Sequence, residues 1–229
     1  MIFSDTPYER SLERMMTAIP NFAPRGHGVM VVYEIRSTVS DCDCRLCVYW
    51  QKKKGCGAAR CSCIKERITA GAASHREVMN ETMTAIHYPA FVRRLDKYMK
   101  ESENDPMKYR NEKHRAVFAE AVKKMDRNNY ALMAALYLLT ADCKLWNTVK
   151  RYTERNEICF SVFRLHNTTE EAYTLYCAAK DLYLGTKHIT VSDLADTELI
   201  SPKLFGLICN AMAIRRFGLG AIGERTDRR

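Results

Sequence analysis

The sequence predicts a mainly α protein, a C-terminal helical bundle preceded by an N-terminal cysteine-rich zinc-binding module, with at most a small peripheral β element. Three observations predict it. Apolar residues recur at helical spacing through the second half of the chain, capping residues and helix-ending glycines punctuate them, and six of the ten cysteines crowd between Cys42 and Cys63.

The first helix opens with Thr6 as N-cap, Pro7 at the first helical position and Glu9 completing a capping box. Tyr8, Leu12, Met15, Met16 and Ile19 form its apolar stripe, and Pro20 and Pro24 end it. Met30 to Ile35 is rich in β-branched and aromatic residues and reads as a strand; Ile158 to Phe163 is the other strand candidate. After the cysteines, helices are expected at Ile64 to Ala73, Ser74 to Ile86, Pro89 to Glu101, Asn111 to Asp126, Asn129 to Thr140 and Asp142 to Thr153. Further helices are expected at Thr168 to Leu184, Ser192 to Thr197 and Ser201 to Phe217. Thr168 with Glu171 makes a second capping box, Pro202 suits a first helical position, and Gly185 and Gly218 suit left-handed C-terminal caps. The domain plan is therefore 1–100 for the N-terminal helix, strand, zinc module and following helices, a polar linker at 101–110, a bundle over 111–218 and a basic tail over 219–229.

Composition bounds the function. The chain has 229 residues, 47% of them apolar, with 36 basic against 27 acidic side chains and a net charge of +9, a balance that favours acidic partners such as nucleic acid. No run of about 18 apolar residues occurs, and the first residues lack a secretory pattern, so a cytoplasmic protein without a membrane partner is expected. In a reducing compartment clustered cysteines read as metal ligands or redox groups before disulfides. The scattered Cys143, Cys159, Cys177 and Cys209 have apolar neighbours and read as small core residues.

The candidate metal ligands are Cys42, Cys44, Cys47, Cys56, Cys61 and Cys63. The two-residue gap between Cys44 and Cys47 lets one turn offer both sulfurs to a single zinc ion, which takes four ligands in a tetrahedron at about 2.3 Å. Six thiols exceed one such site and fall short of two, so one zinc with spare thiols and a bridged two-metal site both fit. A redox pair, an iron–sulfur cluster and unliganded thiols are the other readings. From Arg45 to Arg67, seven cations, Arg45, Lys52, Lys53, Lys54, Arg60, Lys65 and Arg67, stand against one acid, Glu66, so these residues have a local charge of +6. Cations lower thiol pKa values and offset a tetrathiolate centre. All-cysteine ligation favours a closed structural site over a catalytic one.

Candidate contacts to nucleic acid or a partner are Trp50, Lys52, Lys53, Lys54 and Arg60 on the cysteine-held loop, where an aromatic ring and ammonium groups could meet a base and phosphates. Lys203, Arg215 and Arg216 join them. Ser192 to Ile208 has a partial helix-turn-helix pattern, but Leu199 stands where many such motifs have Gly and Lys203 is its one early base-reading candidate; an ordinary helical corner is the competing reading. Walker, dinucleotide, zincin and hydrolase signatures are missing from the sequence, the six histidines have no ligand spacing, and Glu170 and Glu171 read as N-terminal helix charges. A non-enzymatic protein is expected.

The stretches from Asp126 to Trp146 and Ala172 to Gly218 resemble a helical domain in uncharacterised proteins of Firmicutes mobile elements. Cys44 to Cys63 is similar to the cysteine-rich segment of small accessory proteins from the same class of elements. The resemblance implies a bacterial accessory protein of a conjugative element, plasmid or prophage. The leading expectation is a non-enzymatic, zinc-stabilised protein that engages nucleic acid or a nucleoprotein complex as a regulator, with nucleic acid or a ribonucleoprotein as its expected partner. A protein-binding inhibitor of host defence, anti-CRISPR-like, is the alternative, and a zinc-dependent enzyme the third. Oligomeric state is left open.

Overall fold

In a computed structural model the described residues are 73–223 apart from 124, 155 and 163, together with positions 11, 15, 16, 18, 20, 64, 65 and 68. The expected strand from Met30 to Ile35 lies outside them, as does the cysteine cluster. The chain divides into two compact units, Met1–Thr38 and Val39–Arg229. In the first, Ser11, Met15 and Met16 are helical and turns at Ala18 and Pro20 follow, but both methionines are exposed instead of buried in a stripe.

The second unit is mainly helical. Its helices are α1 (His75–Met83), α2 (Pro89–Glu101), α3 (Glu112–Val122), α4 (Tyr130–Thr140), α5 (Cys143–Val149), α6 (Glu170–Leu184), α7 (Val191–Ala195) and α8 (Pro202–Phe217). Short 3₁₀ turns follow α5 at Lys150–Tyr152 and α8 at Leu219–Ile222. The β element is smaller than the sequence suggests: β1 (Thr153–Glu154) pairs antiparallel with β2 (Glu157–Ile158), in register Thr153 to Ile158. Phe160 already lies in a turn, because the chain leaves the pair to bury that ring beside Tyr176 and Tyr183.

Helix α4 is the centre. Asn129 caps it by accepting the amide of Leu132 at 3.1 Å, and every residue from Leu132 to Thr140 is buried. A helix apolar on all sides must be surrounded, and α3, α5, α6 and α8 pack around it. At its end Thr140 turns its hydroxyl back to the carbonyl of Leu136 at 2.7 Å. Helix α8 is nearly as enclosed: Ser201 caps it, Pro202 fills its first position, and Leu204 to Ala211 are all buried. Ala134 and Ala135 on α4 and Ala211 and Ala213 on α8 are fully buried small residues that permit close packing of helices.

Two caps differ from expectation. Thr169, not Thr168, caps α6 by accepting from Ala172, and with Ala in that position there is no reciprocal carboxylate. Gly185 ends α6 in the left-handed region as expected (φ 74°, ψ 21°), whereas Gly218 ends α8 at φ 75°, ψ −167°, which only glycine adopts easily. The segment expected as a linker is built into this unit. Lys108 and Met107 offer their carbonyls to the buried Tyr137 and Asn210, and Tyr109 packs on the core, so polarity in sequence masks a tethered loop.

Candidate functional site

Cys42, Cys44, Cys47, Cys56, Cys61 and Cys63, with Trp50, Lys52, Lys53, Lys54 and Arg60, lie outside the described residues. The structure does describe where that segment joins the helical unit. Ile64, Lys65 and Ile68 are helical; Ile64 and Ile68 are buried in the same core as Val78, Met79 and Met83 of α1, while Lys65 between them is exposed.

The other basic candidates differ sharply in surroundings. Lys203 is exposed at the second position of α8. Arg215 donates from Nε to the carbonyl of Leu182 at 3.0 Å, closing the end of α6. Arg216 is turned inward: its Nη2 lies 3.1 Å from Oε1 of Glu81, and its Nη1 donates to the carbonyls of Glu81 and, at 3.1 Å, Thr82. It also lies over the ring of Phe217. Glu81 is fully buried, and its Oε2 has no hydrogen bond among the described residues. Burial raises its pKa against the opposing pull of Arg216 and Lys65.

A buried polar network that the sequence did not disclose runs between α1, the segment before α3, α4 and α8. Tyr137 donates its hydroxyl to the carbonyl of Lys108 at 2.5 Å, and Asn210 donates Nδ2 to the carbonyl of Met107 at 2.7 Å and to the Tyr137 hydroxyl at 3.2 Å. The Oδ1 of Asn210 meets Nε2 of His75 at 3.2 Å. Burial lowers the His75 pKa, opposed by the Asn210 bond and reinforced by Lys108. Beside this chain the hydroxyl of Tyr98 is buried without a hydrogen-bond partner among the described residues, its ring edge-on to His75 and Phe205. Cys209 is fully buried, and loss of solvation pushes its thiol up to about 12, so it stays protonated and unreactive.

Helix-turn-helix geometry is not what residues 192–217 form. Helix α7 has five residues and packs on α2, and the would-be recognition helix α8 is buried continuously from Leu204 to Ala211, so that its first half offers a groove only Pro202 and Lys203. The corner is held by Arg94 of α2. Its Nη1 donates to the carbonyls of Leu194 at 2.8 Å and Asp196 at 2.5 Å, its Nη2 donates to the carbonyl of Ile200, and the guanidinium lies 4.5 Å from the ring centre of Phe205.

The scattered cysteines divide. Cys177 and Cys209 are buried as expected, Cys143 is half-buried, and Cys159 is exposed because it lies just past the two-residue β2. Glu171 at the start of α6 pairs with Arg110 at 2.6 Å, in keeping with a helix-end charge. Asp181 staples the loop after α6, accepting the amides of His188 and Ile189, the Thr186 hydroxyl and the His188 ring at 2.7 Å. Burial alone would raise its pKa; these bonds outweigh burial and lower it. Among the described residues no three His, Cys, Asp or Glu side chains are grouped to hold a metal ion, and no helix is long and apolar enough to cross a membrane. Comparison with protein-family models, curated proteins and solved structures finds no match to the chain.

Proposed function

We propose that the chain is a non-enzymatic, zinc-stabilised binding protein of a mobile genetic element that engages nucleic acid or a nucleoprotein complex, as a regulator. The observation that carries this reading is the coincidence of two oddities of composition: six cysteines and seven cations fall between Cys42 and Arg67, with Glu66 the one acid after Arg45. Thiolates holding zinc would order a loop that otherwise has too little apolar content to fold, and the lysines on it would displace counterions from phosphates. Trp50 supplies a face on which a base can stack. The helical unit contributes an attachment, since Ile64 follows Cys63 directly and is buried.

Within this reading Lys203 is a peripheral contact. Arg216 contributes to the fold before it contributes to a partner, because its guanidinium is committed to Glu81 and two carbonyls of α1.

The test is a salt titration of anaerobically purified protein against single- and double-stranded DNA and RNA, with zinc measured on the same preparation. The expected result is affinity that falls steeply as salt rises from about 50 to 200 mM, and that falls again when Lys52, Lys53 and Lys54 are replaced together by Gln. Absence of binding to every nucleic acid at about 50 mM salt sinks the nucleic-acid reading. Zinc-bound protein that ignores nucleic acid but blocks a defence effector would instead support the protein-binding inhibitor.

A further inference from the structure

We infer that the solvent face of α5, with the 3₁₀ turn that continues it, is a docking surface for nucleic acid, on which Lys144, Lys150 and Arg151 meet phosphates of the backbone. The inference rests on the nucleic-acid reading above and on none of its metal chemistry.

Helix α5 runs without a break into the turn Lys150–Tyr152. Leu145 and Val149 are buried, and Trp146 and Tyr152 pack against the same core, which leaves Lys144, Asn147, Lys150 and Arg151 exposed. Lys144 and Arg151 are seven residues apart and so fall two helical turns apart on one side. Beside them Lys150 donates Nζ to Oδ1 of Asn147 at 3.1 Å. Both ends of the row are fixed. At its start Asp142 accepts the Leu145 amide at 2.9 Å; at its end the Thr153 hydroxyl donates to the carbonyl of Val149 at 3.2 Å and the Cys159 amide to that of Tyr152 at 3.0 Å. The backbone that carries the cations is therefore ordered before any partner arrives.

From Cys143 to Thr153 the chain has three cations and no acid. Of the flanking acids, Asp142 caps α5, and Glu154 stands opposite Glu157 across the β pair, past Thr153. Among the described residues none of the three cations joins an ion pair, whereas Arg76, Lys97, Arg110, Arg115, Lys123 and Arg216 all do. Helix α2 is the contrast: its exposed Arg93, Lys97 and Lys100 are interleaved with the exposed Asp96 and Glu101, and Lys97 lies 3.9 Å from Glu101. A protein partner wants an apolar anchor at the centre of its contact, and the large apolar side chains of α5 are turned inward. A phosphate backbone needs only cations and polar donors at a suitable spacing. Seven helical residues span about 10 Å. A duplex presents a phosphate about every 3.4 Å along each strand, so the row reaches about three of them.

The experiment measures binding of the full chain to two duplex DNAs of unrelated sequence, to single-stranded RNA and, as an acidic-protein probe, to a poly-glutamate peptide. One variant combines Lys144→Gln, Lys150→Gln and Arg151→Gln; the control combines Arg93→Gln, Lys97→Gln and Lys100→Gln on α2 and removes the same charge. The α5 variant is expected to lose at least about tenfold in affinity for each nucleic acid that the wild type binds, at about 100 mM salt, and the control less than about threefold. The slope of log affinity against log salt should become shallower by about 2 to 3 in the α5 variant, and its unfolding midpoint should not move, since all three side chains are exposed. A readout without any variant is acetylation of the wild type: bound nucleic acid is expected to protect Lys144 and Lys150 more than Lys97 and Lys100. Equal losses in the two variants, equal protection, or unchanged affinity in the α5 variant overturns the docking surface and leaves the nucleic-acid reading standing. Loss confined to poly-glutamate assigns the face to an acidic protein and overturns it as well. Wild-type protein that binds no nucleic acid sinks both.

Discussion

The imidazole Nε2 of His114 lies 2.8 Å from the carbonyl oxygen of Tyr137 and donates to it, while Nδ1 accepts the amide of Arg110 at 3.0 Å. Both ring nitrogens are thus committed with a single proton on the ring, and a second proton would break the Arg110 bond inside a site that is 1% exposed. Burial lowers the His114 pKa to about 4 against an ordinary 6.5, the Tyr137 bond opposing that shift and Arg110 adding to it.

Acid should therefore unfold the protein through His114. A folded pKa below the unfolded one means that the unfolded chain binds the proton first, so this stability is complete above pH 6.5 and is lost as pH falls toward 4. At pH 4.5 the loss should reach about 2.5 kcal/mol. His75, also lowered, adds in the same direction; Glu81, raised, acts in the opposite one. His114→Gln keeps a donor for Tyr137 but cannot titrate. Urea unfolding at pH 7 and pH 4.5 should show a smaller pH difference in this variant, and an unchanged difference would place the acid sensitivity elsewhere.

Why some of this was legible and some not follows from sequence distance. Pro89 and Pro202 fix the starts of α2 and α8, and Gly185 fixes the end of α6, because each acts on backbone within a turn of itself. Thr168 and Thr169 are both hydroxyls beside a helix start, and only geometry selects the one that reaches the third amide. Arg216 was legible as a charge but not as a structural residue, since Glu81 lies 135 positions earlier. The same separation hides the His75–Asn210 contact. For the cysteine site, spacing indicates chemistry, whereas ligand choice depends on three-dimensional arrangement that spacing does not encode.

Arg94 should be intolerant of lysine. Three carbonyls, those of Leu194, Asp196 and Ile200, converge on its planar guanidinium, and an ammonium cannot reproduce that fork. Arg94→Lys is expected to cost about 2 kcal/mol, and Arg94→Ala somewhat more because buried carbonyls are left unpaired. Chemical denaturation should show the lower midpoint at an unchanged slope. A loss under about 0.5 kcal/mol for both variants would mean that packing alone holds the corner.

The two helix-ending glycines should respond unequally to alanine. Gly185 has open space where a Cβ would stand, so Gly185→Ala costs only the left-handed conformation, about 1 kcal/mol. At Gly218 the added Cβ would stand 2.7 Å from Cε1 of Tyr130, in a backbone conformation less accessible still. Gly218→Ala should cost at least about 2 kcal/mol, read as a larger fall in unfolding midpoint. Equal losses would show that the Tyr130 ring yields freely.

Gly206 and Tyr98 should behave as one unit. Alanine in the middle of α8 would gain about 1 kcal/mol in helix propensity over glycine. The space is occupied, however: a Cβ at Gly206 would lie 2.7 Å from the Tyr98 hydroxyl and 2.8 Å from Cε of Met107. Overpacking costs about 1–3 kcal/mol, so Gly206→Ala alone should destabilise. Tyr98→Phe removes a buried hydroxyl that makes no hydrogen bond among the described residues, and should be neutral or mildly stabilising. In the double variant the nearest obstruction is gone and Met107 can move its flexible end, so Gly206→Ala should cost at least about 1 kcal/mol less than in the wild type. Strict additivity in the four-protein cycle would show that the ring, not its hydroxyl, excludes the methyl group.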